Sequence, residues 1–316
     1  RLGFTGDRTM RIAQQLYEGV DIEDETVGLI TYMRTDSTRI AGEAIDSVRT
    51  LIRETFGEKY LPDQPNFFRK SSGAQDAHEA IRPTLVTKTP EDLKHYLSRD
   101  QYKLYELIWK RFVACQMEAA RYRTTTIEIT DDRFVFRATG SILEFDGFTR
   151  IYNVEGNDKD QSLPQVQEGE ALKLLQVDPS QHFTKPPARY NDASLIKELE
   201  ERGIGRPSTY ATIVKTIVDR KYVERENRYF KPTELGELVT HVLIENFPDV
   251  MDIGFTAHVE EQLDKIEEGQ EQWTTTLDEF YKPFEIRLKE AANGIKESLK
   301  QKEDTSEEKC ENCGRQ

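Results

Sequence analysis

The sequence has no run of about 18 apolar residues, so nothing in it reads as a membrane-spanning helix. It also lacks a basic leader followed by an apolar stretch, which argues against a secretory signal. Cysteine is scarce: one isolated residue, Cys115, and a pair at Cys310 and Cys313. Thiols so few and so placed do not make a disulfide framework, and a reducing, cytoplasmic setting is expected. Positive charge is the other shortage. The 44 Lys and Arg face 58 Asp and Glu, a net charge of −14, which weighs against a uniformly basic, nucleic-acid-covering surface.

The charge is unevenly spread. Residues 181–232 hold eleven Lys/Arg against seven Asp/Glu, whereas residues 233–309 hold eight against twenty. A local basic surface around 185–231 therefore survives inside an acidic chain. With 316 residues and 9% aromatics, about two or three folded domains are expected rather than disorder.

Apolar periodicity predicts a helix from about Arg8, with Met10, Ala13, Leu16 and Tyr17 on one face. A second helix is expected over 40–55 on Ile40, Ala44, Val48 and Ile52, and a long third over 99–118. Between them, "SSGAQDAHEAIRPT" reads as a loop turning into a short helical segment that Pro83 limits. From Tyr122 the texture turns strand-like, in "TTTIEIT", "RFVFRATGSI", "TRIYNV" and "ALKLLQV", with turns at Asp146-Gly147 and Gly156-Asn157-Asp158. After the stiff connector "KPPAR", residues 190–232 give helix (Asp192 as N-cap), Gly/Pro turn, helix and hairpin, a winged-helix order. Further helices are expected over 234–300, with an apolar stripe of Trp273, Leu277, Phe280, Tyr281 and Phe284. Because the chain opens at Arg1 without an initiator methionine or a preceding element, a piece of a longer protein is expected.

Four short stretches carry chemistry. In "GLITYMRTDS", Tyr32 and Arg34 stand two apart, on one face of an extended chain. Either this is a strand end with a β-favouring aromatic, or a phenol nucleophile beside a guanidinium that binds phosphate. In "DAHEAIRPT", a zinc-protease reading fails because position 82 is Arg rather than His. His78 and Arg82, at helical spacing, are either a solvated helix end or two phosphate donors. "GIGRPSTYAT" lacks the spacing of a nucleotide-binding loop. It is either an interhelical turn capped by Ser208 or Thr209, or a phosphate site built with Arg206 at a helix start. Arg220, at the far end of that helix, is a dipole-favouring cation or another phosphate contact. Cys310 and Cys313 form half of a zinc site; Cys115 reads as a buried helix residue.

Together, "GLITYMRTDST", "AHEAIRPT" and "HFTKPPARYNDASLIKELEERGIGRPSTYATI", in this order and with a terminal CxxC, closely resemble the bacterial type IA DNA topoisomerases over nearly the whole chain. The resemblance implies a mixed α and β, multidomain fold taken from a toroid. Its parts are an active-site tyrosine domain (1–118), a β-rich gate or arch segment (119–188), a winged-helix-like DNA-binding domain (189–300), and a linker with the start of a zinc ribbon (301–316). It implies ATP-independent relaxation of negatively supercoiled DNA. Tyr32 would attack a single strand, form a 5′-phosphotyrosine and free a 3′-hydroxyl, with Arg34 on the scissile phosphate. His78 and Arg82 would support the site and its DNA. Arg189, Arg206, Ser208, Thr209 and Arg220 would track the single strand. Mg²⁺ belongs to a TOPRIM domain that has no counterpart in this sequence, and Zn²⁺ would need cysteines beyond Cys313. The implied partners are single-stranded and negatively supercoiled DNA, the implied state a monomer. Residues 1–316 alone are expected not to relax DNA. The competing expectations are a non-catalytic winged-helix binder of single strands, which would need neither Tyr32 nor Arg34, and an acidic helical scaffold.

Overall fold

A computed structural model describes residues 1–68, 78–131, 133–153 and 162–303, with 293–303 as backbone alone. The chain is mixed α and β and separates into two compact units. One comprises Arg1–Leu2 and Arg8–Pro187; the other comprises Gly3–Asp7 and the chain from Ala188.

The first unit begins with α1 (Gly6–Glu18, its first two residues clustering with the second unit), then a small hairpin, β1 (Val20–Ile22) and β2 (Glu25–Val27). Helix α1 buries Ile12, Ala13 and Leu16, so the apolar face lies one step from the expected one and leaves Tyr17 40% exposed. Helix α2 (Gly42–Phe56) buries Ile45, Val48 and Ile52. Helix α3 (Arg99–Cys115) starts in a reciprocal cap between Ser98 and Gln101 and buries Leu104, Tyr105, Trp109, Phe112 and Val113. Two of its side chains hold the chain that follows the His78 stretch: Trp109 Nε1 donates to the Val86 carbonyl (2.8 Å) and Tyr105 Oη to that of Lys88 (2.6 Å).

Strands β3 (Arg121–Asp131) and β4 (Phe134–Phe145) form an antiparallel ribbon with most side chains exposed. A lone two-stranded ribbon is marginal in water, and its base is anchored. Tyr60 Oη donates to Asp146 Oδ1 (2.7 Å), Arg150 reaches both, and the Tyr60 and Phe145 rings lie 5.0 Å apart. The fully buried Gln116 exchanges two hydrogen bonds with the Asn66 backbone beneath it. At Gly147 (φ +47°) a Cβ would come within 2.5 Å of the Glu118 carbonyl, so only glycine lets the chain fold back there.

That reversal corrects one expectation: the described part of "TRIYNV", Thr149–Asn153, is not a strand, because Gly147–Arg150 closes as a tight helical turn. "ALKLLQV" is not one either. Leu174 and Leu175 are 73% and 86% exposed, and no neighbouring strand among the described residues pairs with the segment. Alternation is not sufficient for a strand when nothing offers it a ladder. The turn expected at Gly156-Asn157-Asp158 lies outside the described residues, as does the linker from 304 with Cys310 and Cys313.

In the second unit, α4 (Asp192–Glu201), a turn, and α5 (Tyr210–Asp219) are followed by a wing of β5 (Val223–Glu226) and β6 (Tyr229–Pro232). The cap of α4 is Asn191, paired reciprocally with Ser194, rather than Asp192. Asp192 instead accepts from the Gly6 amide (3.2 Å) and binds Arg225 (2.9 Å). Then come α6 (Glu234–Asn246), α7 (Pro248–Met251), α8 (Ile253–Glu267) and α9 (Trp273–Glu303). Of the expected stripe on α9, Phe280 and Phe284 meet aromatic partners, Phe255 and Phe247, whereas Trp273, Leu277 and Tyr281 are exposed. No described helix is long and apolar enough to cross a membrane.

Candidate active site

The stretch before Tyr32 is held by burial and by backbone. Leu29 and Ile30 are almost fully buried, and Ile30 forms an antiparallel bridge with the buried Pro83. The Leu29 amide donates to the Leu16 carbonyl (2.7 Å), which fixes the stretch to the last turn of α1. At Gly28 a Cβ would lie 2.7 Å from the Tyr17 carbonyl, so the close approach excludes any larger residue. On the other side the chain is clipped to the His78 stretch. Thr31 N donates to Arg82 O (2.9 Å), Thr84 N to Leu29 O (3.1 Å), and Ala80 N to Arg39 O (2.8 Å). The Thr31 hydroxyl donates to Ala80 O (2.7 Å) and accepts from the Arg82 amide (2.9 Å). A short apolar run and one threonine thus hold the residue before Tyr32 in register with the segment after His78.

Tyr32 itself is partly exposed, while the next residue, Met33, is buried at 4%. Its ring packs between two others. His78 lies with centroids 4.9 Å apart and planes tilted by 31°, and Tyr17 meets it edge-on at 5.4 Å and 68°. The face-on approach of the imidazole orients the phenol by stacking. Arg34 is exposed and has no hydrogen-bond or ion-pair partner among the described residues. The chain bends at Met33–Arg34, so an extended strand does not continue through the motif. Beyond it, Ser37, Thr38, Arg39, Ile40, Asn66 and Phe67 line a cavity of about 290 Å³.

The His78 stretch departs from expectation. Residues 78–84 are not helical, so His78 and Arg82 do not share a helix face. Pro83, buried against Ile30, demands an extended neighbour, and the backbone is used for the clip to Thr31 instead. Arg82 is turned inward: its guanidinium binds Glu79 (2.7 Å) and the Pro83 carbonyl, with 13% of the side chain exposed.

The remaining expected residues belong to the second unit. The Arg206 guanidinium sits 2.7 Å from Asp264 and 3.6 Å from Glu260, both on α8. Thr209 accepts from the Arg206 amide (2.9 Å), which ties up the turn, and Ser208 is exposed. Arg220, the last cap of α5, and Arg189 are exposed and have no ion-pair partner among the described residues. The expected cations therefore divide: Arg34, Arg189 and Arg220 are open, Arg82 and Arg206 are committed to carboxylates. Sequence reasoning did not single out Thr31 or Glu79, and placed Tyr17 in the core. The hydroxyl before a candidate nucleophile and the acid three residues before Arg82 were the available signals. Among the described residues no group of three or more His, Cys, Asp or Glu could hold a metal ion.

Residues 1–278 match a family model described as DNA topoisomerase. The chain is 51% identical over 291 residues to DNA topoisomerase 1 of Vibrio cholerae, covering 92% of this chain and 32% of that protein. It is 48% identical over 316 residues to DNA topoisomerase 1 of Pseudomonas aeruginosa, covering all of this chain and 35% of that protein. Full-length topoisomerase I from Thermotoga maritima matches with a TM-score of 0.80 and 41% identity, over 90% of this chain and 46% of that one. The chain spans about a third of the length of these curated relatives. With the ordered motifs, the fold and the family match in agreement, this chain belongs to the bacterial type IA DNA topoisomerases.

Proposed function

We propose that this chain supplies the cleaving tyrosine, part of the gate and part of the single-strand track of an ATP-independent enzyme that relaxes negatively supercoiled DNA. Residues 1–118 act as the active-site domain, 119–188 as part of the arch, and 189–300 as the strand-binding domain. The observation that carries the reading is Tyr32, half-exposed, stacked on His78, with an unpaired arginine two residues on.

The Tyr32 oxygen attacks the phosphorus of a single-stranded phosphodiester. The P–O3′ bond breaks, a bond from phosphorus to the tyrosine oxygen forms, and the phenol proton leaves as the departing 3′-oxygen gains one. Arg34 donates to the non-bridging oxygens as their charge changes. Preorganised charge of this kind is usually a major source of rate enhancement. His78 and Tyr17 pack against the ring and limit its orientation. Religation is the reverse attack by the 3′-hydroxyl, and the ester keeps the bond energy, so no nucleotide triphosphate is consumed. Mg²⁺ and Zn²⁺ enter only through residues other than those described. The enzyme would act as a cytoplasmic monomer.

The test uses the natural-length polypeptide that carries these residues, incubated with a single-stranded oligonucleotide and Mg²⁺ and then denatured. A 3′ label is expected to migrate with the protein, and a 5′ label on a shortened strand ending in a 3′-hydroxyl. Tyr32→Phe removes both signals. A wild type that leaves no label on protein, yet binds the strand, would reduce this chain to a winged-helix binder.

A further inference from the structure

The wing of the second unit carries features that the cleavage chemistry does not use. We propose that it holds a nucleotide subsite for single-stranded nucleic acid, built from Arg189, Arg228, Tyr229 and Lys231. The inference rests on the proposed function, in which the partner is a single strand.

A cavity of about 350 Å³ opens there, lined by Ala188, Arg189, Glu226, Asn227, Tyr229 and Lys231. The segment bearing Arg189 is laid along the outer strand, since the Phe230 amide donates to the Tyr190 carbonyl (2.7 Å). Pairing of Glu226 with Tyr229 and of Glu224 with Lys231 sets the alternation. Phe230 is buried, and Tyr229 and Lys231 point outward. Tyr229 leaves 42% of its surface to solvent.

The cations on this strip are available. Arg189 and Arg228 have no ion-pair partner among the described residues, and Lys231 meets Glu226 only at 3.5 Å. Arg225, on the neighbouring strand, shows the alternative: it binds Asp192 at 2.9 Å and lies over the Phe230 ring. Three cations face two carboxylates here, Glu226 and, opposite Lys231, Glu224, so the strip keeps a positive balance in a chain of net charge −14. An exposed ring beside cations, two of them without an ion pair among the described residues, is the grip by which proteins hold single strands, with bases stacked on the ring and phosphates on the cations.

The turn gives a second, independent indication. Asn227 (φ 49°) and Arg228 (φ 73°) both adopt the left-handed conformation that a two-residue hairpin requires. Asparagine tolerates it and glycine prefers it, but arginine resists it. A strained arginine at an exposed hairpin tip is explained if its charge is used. In the occupied subsite, a base stacks on Tyr229 beside the Asn227 side chain. The flanking phosphates meet Arg189, Arg228 and Lys231.

The experiment is fluorescence anisotropy of a short fluorescein-labelled oligothymidylate titrated with the 316-residue chain at low salt. Tyr229→Leu is expected to weaken binding about tenfold, and Tyr229→Phe to leave it intact, because stacking needs the ring and not the hydroxyl. Arg228→Gly is expected to weaken binding and flatten the salt dependence by about 0.7 log units per log unit of salt. Its melting temperature should hold or rise, since the strain is relieved. Wild-type affinity in both Tyr229→Leu and Arg228→Gly overturns the subsite while leaving Tyr32 cleavage untouched. So does a wild-type chain that binds no strand, or polyglutamate that competes as well as DNA. Failure of the covalent-adduct assay, with wing-dependent binding retained, would instead sink the cleavage reading alone.

Discussion

The two units invest their apolar residues very differently. Of the buried hydrophobic side chains among the described residues, all but Val214, Phe230 and Ala291 belong to the first unit. Leu16, Leu29, Ile30, Val48, Ile52, Tyr105 and Val113 are almost or fully buried there, and backbone hydrogen bonds of Leu29 and Thr31 fix the chain that leads into Tyr32. The second unit leaves Leu235, Ile244, Ile253, Leu263 and Trp273 exposed and holds its helices with surface ion pairs and a row of phenylalanines. A nucleophile needs a fixed direction, and reacting groups tolerate only small misplacement. A surface that tracks a flexible strand needs unpaired charge and open rings more than rigidity.

The largest test of that contrast is Tyr105→Ala. Tyr105 is fully buried, and burial, with the nearby Asp92 carboxylate as a lesser cause, pushes its phenol well above the usual range. Removing it should cost about 3–5 kcal/mol. Leu263→Ala in the second unit, at a site 52% exposed, should stay within about 0.5 kcal/mol. Calorimetry of the two variants reads this directly, and equal losses would erase the distinction between the units.

Arg34→Ala separates chemistry from stability within the first unit. An exposed, unpartnered arginine contributes little to folding, so the melting temperature should not move. Cleavage of a single strand by the natural-length polypeptide should fall about a hundredfold, the usual cost of about 3 kcal/mol for a lost charged donor to a transition state. Wild-type cleavage in this variant removes Arg34 from the mechanism.

Thr31→Val probes the clip. It leaves the Ala80 carbonyl and Arg82 amide without their hydroxyl partner, at a cost of about 1–3 kcal/mol, while Thr31→Ser keeps both bonds. Cleavage should fall in the valine variant and return in the serine one, at unchanged strand affinity. Equal activities would mean that backbone pairing alone fixes Tyr32.

Helix periodicity made α1, α2, α3 and the winged-helix order legible, and the motifs drew attention to Tyr32 and His78, whose rings lie 4.9 Å apart. What sequence did not carry was which polar group each cation would meet. Arg82 looked free because His78 and Arg82 are at helical spacing, but Pro83 is bridged to Ile30 and the segment is extended. Arg206 looked like a phosphate contact because its α8 partners lie more than fifty residues away along the chain. "ALKLLQV" looked like a strand because alternation reports a two-faced segment, not the presence of a ladder to join.

Arg206 gives a finer test. If its charge serves the strand, Arg206→Ala should flatten the salt dependence of oligonucleotide binding by about 0.7, as Arg220→Ala should. If it serves to neutralise Asp264 and Glu260, the single variant weakens binding through the exposed carboxylates and Arg206→Ala with Asp264→Ala restores it. The committed geometry at 2.7 Å favours the second outcome. An unrestored double variant would return Arg206 to the track.

The smallest effect lies at the base of the β3–β4 ribbon. Burial there pushes the Asp146 carboxyl up, but the hydrogen bonds from Tyr60 and Arg150 outweigh it and hold the group below the usual carboxylate value. A carboxyl lowered in the folded state adds stability that is present above its unfolded value of about 3.9 and is lost as pH falls through the folded value. Tyr60 works at the other end. Its hydrogen bond to Asp146, with burial and the adjacent carboxylate charge, raises its phenol. That contribution is present below about pH 10 and lost above it. Melting temperatures of wild type and Asp146→Asn should therefore differ by a constant amount between about pH 5 and 9 and converge below about pH 4. A gap that persists into strong acid would show that the amide disturbs the fold at Gly147 rather than removing a charge. The contrast between units would then rest on packing alone.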